Sequence, residues 1–232
     1  LELRYASPTQ KIQDWKNQLG NIKMLTCNEF RPPFLHKVGQ IQDWIIQKKY
    51  SGGTLLEKNC HHFDLFNWFA GAKPISVYAS GDGQTVYSNT DILDSAFVTV
   101  EYENGVRAML SLCLFAPQKA EGSSLNELGI GLLGDKGRLE MRGDDVYMWN
   151  RENGKEQHWH YQRENFEAHS DDILPSMREL AHCIRFNRKP LTGIQEGINS
   201  ALVSFAAELS AQEKRIVYIS ELEQKYGISY VV

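Results

Sequence analysis

From residue 95 to residue 150 the chain reads as strand after strand. SAFVTVEYENGVRAMLSLCLF (95–115), ELGIGLL (127–133), GRLEM (137–141) and DVYMWN (145–150) all show strand composition or period-two alternation. Glu103-Asn104-Gly105 and Asn153-Gly154 are hairpin signals. PISVYASG (74–81) adds a strand before this run. IKMLTCNEF (22–30) adds another, stopped by Pro32-Pro33. Strands joined by tight turns pair antiparallel, and such a sheet must cover one face with something else.

Helical patterns flank the block. KIQDWKNQL (11–19) has helical spacing and ends at Gly20, and KVGQIQDWIIQKKY (37–50) is mixed and partly helical. Ser51-Gly52-Gly53 breaks the chain. Thr54 then reads as the N-cap of a strong helix running to Phe69, closed by Gly71 and Pro74. ILPSMRELAHCIRF (173–186) and GINSALVSFAAELSAQEK (197–214) are two more helices, and RIVYIS (215–220) is a late strand. The order predicts an α+β fold: a mostly antiparallel, open-faced sheet with helices packed on one face. No repeat, low-complexity tract or linker divides residues 1–232, which read as a single domain.

Composition excludes some functions. Hydrophobic residues are 42%, charged residues 23% and the net charge is −4, so no global basic field awaits nucleic acid. No apolar run is long enough for a bilayer, and the start shows no basic segment followed by an apolar one. Cys27, Cys60, Cys113 and Cys183 lie far apart with no C-x-x-C pair, which points to free thiols and a reducing, cytoplasmic setting. The chain opens on Leu1 rather than Met and reads as a fragment of a longer protein.

GIGLLG (129–134) spells G-x-G-x-x-G. The fingerprint works only where a strand feeds a helix whose N-terminal N–H groups meet a pyrophosphate. Here Asp135-Lys136-Gly137 makes a turn and Arg138-Leu139-Glu140-Met141 alternates as a strand. The motif reads as strand, glycine turn and strand, not as a nucleotide site.

The segment with most chemistry is GGTLLEKNCHHFDLFNWFAG (52–71). At ~100° per residue, Glu57, His61, Asp64 and Trp68 fall within an arc of roughly 60°. Most other positions are apolar, as on a buried helix, so a carboxylate–imidazole–carboxylate stripe is costly unless it faces a cleft. An imidazole can take a proton from an alcohol near neutral pH, and a carboxylate one turn away can orient it. The stripe is equally compatible with the solvated face of a packed helix. A metal site from Glu57, His61, His62 and Asp64 is a further alternative, disfavoured because His61 and His62 diverge by about 100°.

These residues resemble the substrate-side domain of the Gfo/Idh/MocA oxidoreductase family (glucose–fructose oxidoreductase, inositol dehydrogenase, rhizopine catabolism). In that family a helix opening on glycines carries an acidic residue and, four places on, a histidine, here Glu57 and His61; the family commonly has Asp at the first position. FRPPFLHKVG (30–39), LLGDKGRLEM (132–141) and FNRKPLTGIQEGINSALVSFAAELSAQEKRIVYI (186–219) extend the likeness over nearly the whole chain. The resemblance implies a parent that oxidises a secondary alcohol of a sugar or polyol, or reduces its ketone, with NAD or NADP. It implies His61 as general acid/base, Glu57 as its orienting partner and Asp64 as support or substrate contact. It implies that the cofactor is bound mainly by an N-terminal Rossmann domain not seen in these residues, so that the chain alone holds none and is inactive alone. It implies a homo-oligomer formed through the sheet face.

Other candidates stand beside these. Lys37 and Arg31 flank the Pro32-Pro33 break and are candidate substrate contacts, against readings as surface charges. His169, before a helix N-terminus, is a candidate contact by its place in the family, against a reading as a loop residue. His158 and His160 share one face of a strand and read as exposed strand residues. Tyr147, Trp149, Trp159 and Tyr161 read as sheet-face packing rather than base stacking. Loops 115–126 and 155–172 are expected to shape the pocket. Two other functions remain open: a non-catalytic polyol-binding or dimerisation module, and a metal-dependent hydrolase.

Overall fold

The computed structural model describes residues 1–33, 44–117, 128–162 and 171–232. Lys37, His169 and residues 118–126 and 163–170 of the two expected pocket loops lie outside the described residues; residues 156–160, expected within the second loop, form a strand.

Among the described residues nine strands form one sheet: β1 (Ile22–Phe30), β2 (Pro74–Asp82), β3 (Ser95–Tyr102), β4 (Arg107–Cys113), β5 (Leu128–Gly134), β6 (Gly137–Arg142), β7 (Asp145–Asn150), β8 (Glu156–His160) and β9 (Val217–Tyr218). Their order across the sheet is β8-β7-β6-β5-β1-β4-β3-β2-β9. Every pairing is antiparallel except β1 with β4. The expected α+β class and mostly antiparallel open sheet are therefore the observed ones. Both hairpin signals fall on turns, with Gly105 and Gly154 at positive φ.

Alternation decides what each face carries. Leu25, Cys27, Val77, Ala79, Val98, Val100, Ala108, Leu110, Ile130, Leu132, Leu139, Met141, Val146 and Met148 are buried. Met24, Tyr78, Phe97 and Met109, on the opposite face, are exposed.

The helices are α1 (Ser7–Trp15), α2 (Lys48–Ser51), α3 (Thr54–Glu57), α4 (Cys60–Ala70), α5 (Ile173–Phe186), α6 (Ile194–Glu213) and α7 (Ile219–Tyr226), with 3-10 turns at Glu2–Tyr5 and Lys16–Leu19. α6 packs on β2 and α4 packs on α6 and β1. Leu202, Val203, Ala206 and Ala207 of α6 are fully buried where the helix packs on β2 and α4. The Tyr102 hydroxyl donates to Asn67 Oδ1 at 2.9 Å, tying β3 to α4.

Three local expectations change. The 11–19 helix begins earlier, at Ser7 with Pro8 in its first turn, and tightens to 3-10 from Lys16. RIVYIS keeps only two strand residues before α7 begins. The helix expected over 54–69 is broken at Lys58–Asn59 into α3 and α4. Nor does Thr54 cap it: its hydroxyl donates to Leu93 O at 2.6 Å, and the Glu208 carboxylate accepts the Leu55 N–H at 2.8 Å instead. A buried carboxylate from α6 thus fills the place a local side chain was expected to take.

Candidate functional site

α4 is positioned from three sides. Its N-terminal turn is tied to α6 by the Ser200 hydroxyl, which donates to Cys60 O at 2.5 Å. Its middle is bound by Asn67 to Tyr102, and its end by Asn104, which donates to Ala70 O at 2.9 Å. Gly71, left-handed at φ 59°, terminates it.

Two polar clusters flank this helix. In the first, His61 Nδ1 lies 3.1 Å from Glu2 Oε2. Burial opposes protonation of His61, but the Cys60 sulfur and the Glu2 carboxylate outweigh it and push the imidazole up to about 10. Burial likewise opposes ionisation of Glu2, and His61 overcomes it to hold the carboxyl down at about 2. One turn on, Arg4 grips Asp64 with two hydrogen bonds, Nε to Oδ2 at 2.7 Å and Nη2 to Oδ1 at 2.6 Å. The guanidinium also lies 5.2 Å from the Trp68 ring centroid. Burial pushes the Asp64 carboxyl up, and Arg4 offsets this.

The second cluster centres on Glu29, at the end of β1 and almost fully buried. It takes Lys58 Nζ at 3.2 Å, His62 Nε2 at 3.3 Å, Asn59 Nδ2 at 3.2 Å and Arg31 Nη1 at 3.7 Å. Burial drives His62 down to about 4, against the pull of Glu29, so it is neutral at pH 7.

The stripe read from the sequence is therefore only partly assembled. His61, Asp64 and Trp68 share one side of α4, reached by Glu2 and Arg4. Glu57 does not join them: the break at Lys58–Asn59 removes the regular four-residue step, and among the described residues the Glu57 side chain makes no hydrogen bond or ion pair. Glu2 occupies the place expected of Glu57. Asp64 is 1% exposed with both oxygens on Arg4, so it braces the helix and offers no oxygen to a ligand here. Arg31 turns toward Glu29. His158 and His160 are exposed, as expected, and share Asp145 Oδ1 at 2.7 and 2.9 Å.

Among the described residues no group of three or more His, Cys, Asp or Glu side chains is arranged to hold a metal ion. None of the described helices is long and apolar enough to cross a membrane. All four cysteines are free; Cys27 and Cys183 are buried, Cys60 and Cys113 half-buried. GIGLLG lies in β5 and leads by a hairpin into β6, with no helix N-terminus after it. A Cβ at Gly134 would come 2.1 Å from Leu19 O, so this glycine admits the backbone of the 16–19 turn. These residues do not build a dinucleotide cradle. A depression of about 360 Å³ opens at the outer face by Phe30, Ser80, Phe97, Cys113 and Phe115; His61 does not line it.

Glu2, Arg4, Glu29 and Glu208 were not singled out from the sequence. Three of them lie far along the chain from their partners, where no local spacing points to them. Glu29 did leave a signal: it follows Leu25 and Cys27 at period two, on the buried face.

Comparison with known proteins agrees with this architecture. Residues 15–219 match the model of the oxidoreductase family, C-terminal alpha/beta domain (GFO_IDH_MocA_C). The chain is 22% identical over 180 residues to the myo-inositol 2-dehydrogenase of Thermotoga maritima, covering 75% of this chain and 51% of that one. A crystal structure of an oxidoreductase from Agrobacterium radiobacter in complex with NAD+, L-tartaric acid and magnesium superposes with a TM-score of 0.79 at 16% identity, over 95% of this chain and 64% of that one. The aldose-aldose oxidoreductase of Caulobacter crescentus complexed with glycerol gives 0.70 at 16% identity, over 93% and 61%. The chain thus spans about half of the inositol relative and under two thirds of these solved structures. A nine-stranded open sheet backed by helices, a histidine at the head of the central helix and a family match over residues 15–219 lead to one assignment: the chain belongs to the Gfo/Idh/MocA oxidoreductase family, through that family's C-terminal alpha/beta domain.

Proposed function

We propose that this chain is the substrate-side part of an NAD(P)-dependent oxidoreductase that acts on a secondary alcohol of a sugar or polyol, or on its ketone. His61 is the general acid/base. The observation that carries the reading is the His61–Glu2 pair: a partly buried imidazole, kept protonated by the neighbouring Cys60 sulfur and Glu2 carboxylate, at the head of a helix braced by buried bonds. Such a group can donate a proton to a carbonyl oxygen as it becomes an alcohol, or receive one in the reverse direction. Arg4 and Asp64 hold the ring-bearing face in place. The named activities of an inositol dehydrogenase relative and of a glycerol-bound aldose oxidoreductase support a polyol substrate. The dinucleotide, when present, supplies the redox chemistry and is held by residues beyond these, since GIGLLG enters a hairpin.

The exposed Met24, Tyr78, Phe97 and Met109 favour self-association through the open sheet face. Light scattering of Phe97→Glu against the unsubstituted chain tests this; an unchanged mass removes the proposal.

The main test is His61→Asn in the polypeptide encoded by the complete reading frame, assayed against a panel of sugars and inositols with NAD and NADP. Turnover should fall at least about a hundredfold, the usual weight of a general acid/base. Turnover within a few-fold of the unsubstituted enzyme would refute the role. Polyol binding without turnover in the unsubstituted protein would favour a binding module.

A further inference from the structure

Glu29 occupies a place where an open sheet carries an aliphatic residue. It follows Leu25 and Cys27 on the inward face of β1, is 3% exposed, and is flanked across the sheet by Leu112 of β4 and Leu128 of β5. A buried carboxylate is costly, and an apolar residue of its size would pack there without that cost. Arg31 apart, the partners of Glu29 among the described residues all flank the break between α3 and α4. Lys58 and Asn59 form the break, and His62 lies in the first turn after it.

The grip closes on itself. Asn59 Nδ2 lies 3.2 Å from Glu29 Oε2 and 3.3 Å from His62 Nδ1, and His62 Nε2 lies 3.3 Å from the same carboxylate oxygen. The neutral His62 ring thus accepts from Asn59 and donates to Glu29. Asn59, at φ −92° and ψ −1°, leaves the helical path. The ladder restarts from its carbonyl, which accepts the His62 and Phe63 N–H groups at 3.0 Å each. Successive side chains on a helix diverge by about 100°. With His62 held on Glu29, His61 is turned to the side where Glu2 stands 3.1 Å away.

We infer that Glu29 is a positioning residue for the acid/base: by holding the Lys58–Asn59 break, it decides that His61 pairs with Glu2 and not with Glu57. The inference rests on the oxidoreductase reading above and adds to it the group that aims the imidazole. Were the break to close, a regular helix would set Glu57 one turn behind His61, within reach of its ring.

The test is NMR titration of the His61 ring in the 232-residue chain, arranged as double-mutant cycles. In the unsubstituted background Glu2→Gln lowers the midpoint and Glu57→Gln does not. In a Glu29→Gln background, Glu57→Gln should lower it by at least about one unit, a tenfold change in proton affinity, and Glu2→Gln should lower it by less than before. A folded Glu29→Gln chain in which His61 still answers to Glu2 alone overturns the inference, whatever stability it has lost. Should Glu29→Gln not fold, Asn59→Ala takes its place. It keeps the carboxylate, cuts the link to the break and favours a continuous helix, and the same two readings decide. The titration needs no turnover, so its failure leaves the oxidoreductase reading to be judged by His61→Asn.

Discussion

His61 answers to Glu2, not to Glu57. Its Nδ1 stands 3.1 Å from a carboxylate 59 positions back in the chain, while the carboxylate four positions back makes no hydrogen bond or ion pair with it. Glu2→Gln should therefore lower the imidazole midpoint from about 10, since burial then acts with less opposition and only the Cys60 sulfur still raises it. Glu57→Gln should leave it in place. NMR titration of the His61 ring reads both. The pair also sets a stability window. The raised His61 contributes fully below 6.5 and loses its contribution as pH climbs through 10; the depressed Glu2 contributes fully above 4.5 and loses it as pH falls through 2.

His62 acts in the opposite sense. Its folded-state midpoint, about 4, lies below the ordinary 6.5, so the unfolded chain binds the proton first. Stability should fall as pH drops from 6.5 to 4, by at most about 3 kcal/mol. Urea unfolding at stepped pH should show this slope, and His62→Gln should flatten it.

Arg4 and Asp64 form a buried bidentate pair. Removing either partner alone strands a charge, so Arg4→Met and Asp64→Leu should each cost about 3–5 kcal/mol. Arg4→Met combined with Asp64→Leu should cost less than the two singles added together. Denaturant midpoints of the four proteins close the cycle.

Gly53 sits at φ 101° against the Glu208 carboxylate, with a Cβ placed 2.3 Å from Oε1. Gly53→Ala should displace the carboxylate that caps Leu55 and destabilise the fold by about 2 kcal/mol or more. Glu208→Gln keeps an acceptor oxygen and should cost less. Thermal melts of both rank them.

Gly134, the last residue of GIGLLG, makes room for Leu19 O rather than for a phosphate. Gly134→Ala should lower the thermal midpoint of the 232-residue chain, since the added methyl meets the Leu19 carbonyl. Calorimetric melts of the two proteins read the change.

How far the sequence could be read follows from the range of each interaction. β3, β4, β6 and β7 are legible because alternation and hairpin turns are local. His61 is legible because an imidazole at the head of an apolar helix is conspicuous. The break after Glu57 is not. Its causes are tertiary: Asn59 and Lys58 are drawn to Glu29 on β1, and Leu55 to Glu208 on α6. A helical wheel assumes an unbroken helix, so it set Glu57 beside His61. Arg4 shows the same limit, since nothing within ten residues of it announces a partner at Asp64.

The first strand made is the middle of the sheet. β1 is fifth of nine, with a three-strand meander and β9 on one flank and a four-strand meander on the other. Each meander can zip through neighbouring segments, but β1 pairs, among the described residues, with β4 and β5, whose residues come 83 to 112 positions later. The two halves can thus form quickly as separate leaves, and their seam must close last, over long loops. Folding should be paced by that seam. A cut anywhere inside residues 22–30 would leave two half-sheets, each with a raw edge, rather than a smaller version of the same protein.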